Sequence, residues 1–242
     1  MINKCIIIPA YNEAENIASV ITGVQRRSDA DIIVIDDGSK DQTAEKAGET
    51  GAIVICHPFN MGYGAALQTG YKYAVKKDYD LLVQMDGDGQ HDPKYISELF
   101  NQVESDKCDL VIGSRFLGEG NYKTGVLKSI GIGLFTFIIQ VVCGKRITDP
   151  TSGCQSLNRK VFTFFTQDSF PCDYPDANII IMLQRRGFTV KEIPVTMNPS
   201  PKGQRMHKGI VTVSYYLFKM FLSIFITLMR EKSYYDQKES FK

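Results

Sequence analysis

The chain has 242 residues, a length that suits one large domain or one domain with an appendage. With 43% apolar and 23% charged residues, it can bury a sizeable core and is typical of a folded globular protein. Its 28 Lys and Arg residues balance 27 Asp and Glu, so the net charge of +1 argues against sequence-independent nucleic-acid binding. The six cysteines include no C-x-x-C pair, which excludes common zinc ribbons and indicates reduced thiols in the cytosol.

Short apolar runs alternate with stretches of helical length through the first half of the chain. The runs predict buried strands, which lie at Cys5–Ile8, Ile32–Ile35, Ala52–Cys56, Leu81–Met85 and Leu110–Ile112. The predicted helices lie at Glu13–Arg27, Asp41–Thr50, Gly64–Lys77 and Pro93–Ser105, with Asp41 and Asp92 as N-caps. This order predicts an α/β fold with a mostly parallel central sheet and helices on both faces.

The second half of the chain contains two long apolar stretches. Gly125–Gly144 is too short and too interrupted by glycine to predict a membrane span. Val211–Met229 predicts a helix with one narrow polar stripe, formed by Thr212, Tyr216, Lys219, Ser223, Thr227 and Arg230. Such an amphipathic helix is typical of one that lies in a bilayer surface or packs against a partner, and the alternative is packing on the protein's own body. We therefore predict a main domain at residues 1–208 and an associating helix with a charged tail at 209–242.

The run Gln84 to Gln90 carries the strongest chemical signal. Asp86 and Asp88 follow a predicted buried strand in a glycine-rich turn, and ligands of parallel sheets bind beyond the carboxyl ends of the strands. Paired carboxylates are hard oxygen ligands that suit Mg²⁺ or Mn²⁺, which also take oxygens from a substrate phosphate. An EF-hand is excluded because His91 stands at its glycine position and Ser97 at its final glutamate position.

Five motifs in order resemble family 2 glycosyltransferases of the GT-A fold, in particular the polyprenyl- and dolichyl-phosphate sugar transferases such as dolichol-phosphate mannosyltransferases. The motifs are Ile8–Glu13, Asp36–Ser39, Asp86–Gln90, Gly113–Phe116 and Asp149–Gly153. The resemblance runs from about residue 3 to about residue 230. It implies a metal-dependent, inverting transfer of a hexose from a UDP- or GDP-linked sugar to polyprenyl phosphate.

The resemblance also implies roles for individual residues. The metal would bind to Asp86, Asp88 and Gln90, and Asp149 and Asp88 would be catalytic. A bound cation offsets the charge that builds on the leaving nucleoside diphosphate. The nucleotide-binding positions implied by the resemblance are Pro9, Tyr11, Asn12, Glu13, Asp37 and Asp86.

A lipid phosphate is already anionic, so the acceptor requires cations that position it more than a base. The candidate cations are Arg115, Lys128, Lys202 and Arg205. In and just before the basic segment 202–208 the sequence departs from the family pattern, because Ser200 stands where the family has Arg and Arg205 where it has Ser. Lys202 or Arg205 would replace that missing cation.

Two alternatives stay open at this stage. A transferase of cell-envelope polysaccharide synthesis would act on a sugar hydroxyl and need a carboxylate base, for which Asp173 and Asp176 are candidates. An inactive scaffold subunit would dock on a membrane protein through the striped helix. The preferred hypothesis is a cytoplasmic enzyme peripheral to the inner membrane face, with a membrane surface and a small integral-membrane protein as further candidate partners.

Overall fold

The computed structural model describes residues 2–105, 108–118, 126–198 and 210–229, with side chains described for all of these except 126–128 and 210–214. The strands are β1 Lys4–Ala10, β2 Asp31–Asp36, β3 Ile53–Cys56, β4 Leu81–Gln84, β5 Leu110–Ser114, β6 Gln155–Asn158 and β7 Val190–Pro194. The helices are α1 Ile17–Gln25, α2 Thr43–Glu49, α3 Tyr63–Lys76, α4 Ile96–Glu104, α5 Val126–Cys143, α6 Arg159–Phe165, α7 Ala177–Arg185 and α8 Ile210–Met229.

The first five strands and first four helices lie where the sequence predicts them, and their ends differ by a few residues. Asp92 is an N-cap as predicted, and its carboxylate accepts a hydrogen bond from the Lys94 amide in a short 3₁₀ turn. The prediction that Asp41 is the N-cap of α2 is wrong, because Gln42 occupies that position. The Asp41 carboxylate still accepts from the Thr43 amide, and its second oxygen accepts from the Ala14 amide and ties α2 to the loop before α1.

The seven strands form one sheet in the order β3-β2-β1-β4-β6-β5-β7, and the prediction of a mostly parallel sheet is confirmed. β6 alone runs antiparallel to its neighbours β4 and β5 within this sheet. Gln155 at the start of β6 therefore pairs with Gln84 at the end of β4. The segment that leads into β6 consequently reaches the same sheet edge as the carboxyl ends of the parallel strands.

Alternate side chains of β1 point into two separate cores. Cys5 and Ile7 belong to a core that also includes side chains from α3 and α5 to α8. Ile6 and Ile8 belong to the opposite core, which includes side chains from α1, α2 and α4. This period-two alternation is the pattern of a strand buried on both faces, and it confirms the expectation of helices on both sides of the sheet.

The described members of the polar stripe of α8 face the protein, whereas the side chains of Thr212 and Arg230 lie outside the described part of the chain. The Tyr216 hydroxyl donates to Asp176, the Ser223 hydroxyl accepts from the Asn178 side chain, and the Arg185 guanidinium donates to the last carbonyls of the helix. The Phe135 ring of α5 lies 6.2 Å from that of Tyr216, and Met220 and Ile224 are buried. The alternative of packing on the protein's own body is therefore the arrangement observed for the described part of α8.

This orientation leaves large apolar side chains of α5 and α8 exposed. Phe218 and Phe225, for example, keep 65% and 60% of their surface accessible. We call this set the outer apolar face: it comprises Ile130, Leu134, Phe137, Val141, Phe218, Phe221, Leu222, Phe225, Ile226 and Met229. Among the described residues, no helix combines the length and apolar character needed to cross a membrane.

Candidate active site

The loops that follow β1 and β2 interlock at the carboxyl edge of the sheet. Asn12 has a positive φ of 55°, its amide donates to the Ser39 hydroxyl at 2.9 Å, and its side-chain oxygen accepts from the Lys40 amide. The Glu13 amide donates to the Thr43 hydroxyl at 2.8 Å. These bonds place Pro9, Tyr11, Asn12 and Glu13 beside Asp36 and Asp37, and their role as one nucleotide site stays a prediction.

Asp36 and Asp37 differ in what their carboxylates contact. Both oxygens of Asp37 are engaged, because they accept from the Met61 and Gly62 amides at 2.9 Å and contact the His57 ring at 2.7 Å. Asp36 accepts from the Ser39 amide through Oδ2, and its Oδ1 has no hydrogen-bond partner among the described residues. Asp37 as a nucleotide ligand stays a prediction, and Asp36 joins it as a candidate with unused hydrogen-bonding capacity.

Asp86 and Asp88 lie in the turn after β4, as the sequence predicts. The Tyr63 hydroxyl donates to Asp86 Oδ1 at 2.8 Å, and His91 Nε2 lies 3.1 Å from Asp86 Oδ2. Asp88 closes its own turn by accepting from the Gln90 amide at 2.9 Å. No cluster of three or more His, Cys, Asp or Glu residues forms a metal site in the described part of the chain.

The charges around this turn affect the two carboxylates in opposite ways. Burial opposes ionisation of Asp86, but hydrogen bonds from His91 and Tyr63 and the charge of Arg115 lower its pKa below the usual value. Burial and the neighbouring charge of Asp86 raise the pKa of Asp88. The two negative charges repel each other, and a divalent cation bound between the carboxylates would relieve this repulsion. Substrate phosphate oxygens can supply the remaining ligands.

Gly153 approaches Asp86 from the segment that leads into β6. A Cβ atom at position 153 would lie 2.6 Å from Asp86 Oδ2, so no side chain fits there. The Asp149–Gly153 motif therefore contributes a backbone surface against the carboxylate.

Arg115 and Asp149 form a buried, bidentate ion pair. Arg115 Nε lies 2.6 Å from Asp149 Oδ2, Nη2 lies 2.5 Å from Oδ1, and the Arg115 amide donates to Oδ2 at 3.0 Å. Glu192 of β7 accepts from the Thr148 and Asp149 amides at 2.8 and 2.9 Å, which fixes the backbone that carries Asp149. Asp149 is fully buried, so its carboxylate is placed to orient Arg115.

The other candidate cations lie beyond what the structure describes. Lys202 and Arg205 fall outside the described residues, and Lys128 belongs to α5 but its side chain is among those not described. The described chain before the basic segment ends at Asn198. Its amide donates to the Gln90 carbonyl at 2.7 Å.

Sequence reasoning missed Tyr63, His91 and Glu192, which contact or orient the predicted site residues. His91 directly follows the Asp86–Gln90 motif, and this adjacency is a weak signal that could have identified it. Burial disfavours protonation of His91, but its hydrogen bond to Asp86 raises its pKa well above the usual value. Tyr63 and Glu192 are distant in sequence from their partners, and no local pattern marks them.

The fold is that of a GT-A glycosyltransferase, and the comparison with known families agrees. Residues 5–165 match the family described as "Glycosyl transferase family 2", and the chain belongs to this family. The expected resemblance is thus confirmed.

Relatives and solved structures extend this result. The chain is 29% identical to a UDP-N-acetylglucosamine–dolichyl-phosphate N-acetylglucosaminyltransferase of Methanococcus voltae, over 78% of this chain and 83% of that protein. It is 30% identical to a polyprenol monophosphomannose synthase of Mycolicibacterium smegmatis, over 84% and 80%. Glucosyl-3-phosphoglycerate synthase of Mycobacterium tuberculosis, crystallised with Mn²⁺, UDP and phosphoglyceric acid, is 18% identical with a TM-score of 0.70, over 96% of this chain and 80% of that one.

A methyl group at position 153 tests the close approach to Asp86. We expect Gly153→Ala to lower turnover about a hundredfold, because the added Cβ displaces the carboxylate by a large fraction of an ångström or more. The measurement is the rate of glycosyl transfer. Gly48→Ala is the matched control, since its Cβ would meet nothing within 4 Å. Equal rates in the two variants would contradict the steric argument.

Proposed function

We propose that this glycosyltransferase moves a hexose from a UDP- or GDP-linked sugar to polyprenyl phosphate, with inversion, at the cytoplasmic membrane face. The observation that carries the proposal is that one short segment contacts both groups: Asp149 at its start binds the Arg115 guanidinium, and Gly153 at its end lies against the Asp86 carboxylate. A carboxylate pair suits the donor diphosphate with its cation, and a neighbouring guanidinium suits an anionic acceptor. Relatives named for transfer to dolichyl phosphate and for polyprenol monophosphomannose synthesis support the choice of acceptor.

On the donor side, Asp86, Asp88 and Gln90 would hold Mg²⁺ or Mn²⁺. When bound, such a cation offsets the negative charge that develops on the departing nucleoside diphosphate. The Mn²⁺ in the related crystal structure supports a divalent metal here. Pro9, Tyr11, Asn12, Glu13 and Asp37 belong to the nucleotide site in this proposal, together with Asp36.

On the acceptor side, Arg115 holds the lipid phosphate and Asp149 keeps the guanidinium oriented. Asp149 thus acts as a positioning residue, since its carboxylate contacts Arg115 from the interior. In this proposal the basic segment with Lys202 and Arg205 supplies further positive charge. Because the lipid phosphate is already ionised, its oxygen attacks the sugar without a base.

A sugar-hydroxyl acceptor is the second candidate, and Asp176 favours it. Burial raises the pKa of Asp176 to about 6, and the charges of Arg115, Asp86 and Asp149 also act on it. A carboxyl group with such a pKa near the site is suited to act as a general base. Asp173 fits that role less well, because its side chain is mostly exposed and contacts Lys219 at 2.5 Å.

Removal of one metal-binding carboxylate tests the reaction. Asp88→Asn should abolish transfer because the amide lacks the charge that balances a divalent cation. The assay is nucleoside diphosphate release with Mn²⁺ or Mg²⁺ across UDP- and GDP-sugars, each with and without a short polyprenyl phosphate. Asp78→Asn is the control, since Asp78 is exposed and pairs with Arg159.

The outcomes of this assay separate the candidate functions. Release that needs one donor and the lipid phosphate supports the proposal and identifies the sugar. Transfer to an oligosaccharide without lipid phosphate supports the hydroxyl acceptor. Undiminished turnover of Asp88→Asn contradicts the metal assignment, and a chain that neither binds a donor nor turns over fits the scaffold hypothesis.

Location at a membrane surface is supported by the outer apolar face. Exposed aromatic and aliphatic side chains on two adjacent helices are suited to partial insertion below lipid headgroups. The same surface would also accept a small integral-membrane protein. The division into residues 1–208 and 209–242 belongs to this proposal, with α8 as the associating helix.

Replacing exposed phenylalanines of α8 tests this surface. Phe218→Ser with Phe225→Ser should reduce flotation with anionic phospholipid vesicles about tenfold or more, because two apolar rings no longer enter the lipid. The matched control is Phe59→Ser with Met61→Ser, whose side chains are similarly exposed but lie in the loop after β3. Equal losses in both double variants, or no flotation of the wild type, would overturn the assignment.

A further inference from the structure

The loop of residues 171–176, which we call the bridging loop, lies directly against the start of α3. The Ala65 amide donates to the Cys172 carbonyl at 3.1 Å. A Cβ on Gly64 would lie 2.4 Å from the Pro171 carbonyl oxygen, so the two backbones meet with no space for a side chain. The position of the first turn of α3 therefore depends on the position of this loop.

The other side of the bridging loop is held by the polar stripe of α8. The Tyr216 hydroxyl donates to Asp176 Oδ2 at 2.7 Å, and the Lys219 ammonium lies 2.5 Å from Asp173 Oδ2. The ring of Tyr174 packs edge-on against the ring of Tyr216 at 5.0 Å between centroids. Two carboxylates and one ring of the loop thus contact two side chains of a single helix.

The first residue of α3 connects this arrangement to the site. Tyr63 begins α3, and its hydroxyl donates to Asp86 Oδ1 at 2.8 Å. A continuous set of contacts therefore runs from Tyr216 through the bridging loop and the α3 backbone to the carboxylate of Asp86.

We propose that α8 is a positioning element of the active site, which holds Asp86 in place through the bridging loop and Tyr63. The proposal rests on the proposed function, since Asp86 is there a metal ligand. It adds a means of regulation, because the opposite side of α8 carries the outer apolar face. Contact with lipid buries that face, favours the docked position of α8 and completes the site.

Removal of one hydroxyl group provides the test. Tyr216→Phe keeps the ring and loses the bond to Asp176. Tyr79→Phe is the matched control, because the Tyr79 hydroxyl donates to the Asp31 carboxylate at 2.6 Å at the opposite edge of the sheet. Lys219→Met is a second variant, which keeps the test decisive if Tyr216→Phe does not fold.

Two readouts are measured for each protein, with and without empty anionic phospholipid vesicles. The first is hydrogen exchange at the Ala65 amide, which reports on the bond to Cys172 and needs no activity. The second is turnover with a water-soluble, short-chain isoprenyl phosphate.

We expect the Ala65 amide to exchange faster in Tyr216→Phe and kcat to fall about tenfold, while Tyr79→Phe behaves as wild type. Empty vesicles should raise wild-type turnover severalfold and raise that of Tyr216→Phe by at least the same factor, because lipid contact compensates for the weakened docking.

Unchanged exchange at Ala65 in Tyr216→Phe would overturn the positioning role. Wild-type turnover that does not respond to vesicles would overturn the lipid dependence. Failure of the proposed function has a different signature, since no donor would then be turned over with any acceptor. The exchange measurement would still decide whether α8 holds the bridging loop and α3.

Discussion

A carboxylate at the end of a buried strand stays ionised only where donors and positive charge surround it. Asp86 meets this condition through Tyr63, His91 and the charge of Arg115. These groups come from α3, from the turn after β4 and from the end of β5, so three separate parts of the chain must be in place before the site exists. The ionised state of Asp86 therefore depends on the complete folding of the sheet and its loops.

The positive charge of Arg115 is held by a buried ion pair with Asp149. A buried ion pair contributes little net stability, because desolvation of both groups offsets their attraction. What the pair provides is orientation, because two hydrogen bonds to one carboxylate fix the direction of the guanidinium. Glu192 extends this control to the backbone of Asp149. Preorganised charge of this kind lowers the reorganisation needed during reaction.

The sequence was sufficient to predict the alternation of strands and helices, because apolar periodicity and turn residues are local signals. It also located Asp86, Asp88, Arg115 and Asp149 as candidate site residues. The resemblance singled out Asp37, but no local pattern showed that the amides of Met61 and Gly62 donate to it, since these amides belong to a later loop. Periodicity likewise defined the polar stripe of α8 without indicating its direction. That direction depends on partners such as Asp176, which belong to a distant segment.

The antiparallel direction of β6 limits how this protein can change in length. The segment Asp149–Gly153 orients Arg115 at its beginning, faces Asp86 at its end and then enters β6 in a register fixed by Gln155 opposite Gln84. One inserted or deleted residue would release one of these three constraints or turn every side chain of β6 to the other face. Insertions and deletions in descendants of this chain would therefore accumulate in other loops, while this segment keeps its length even where its side chains diverge.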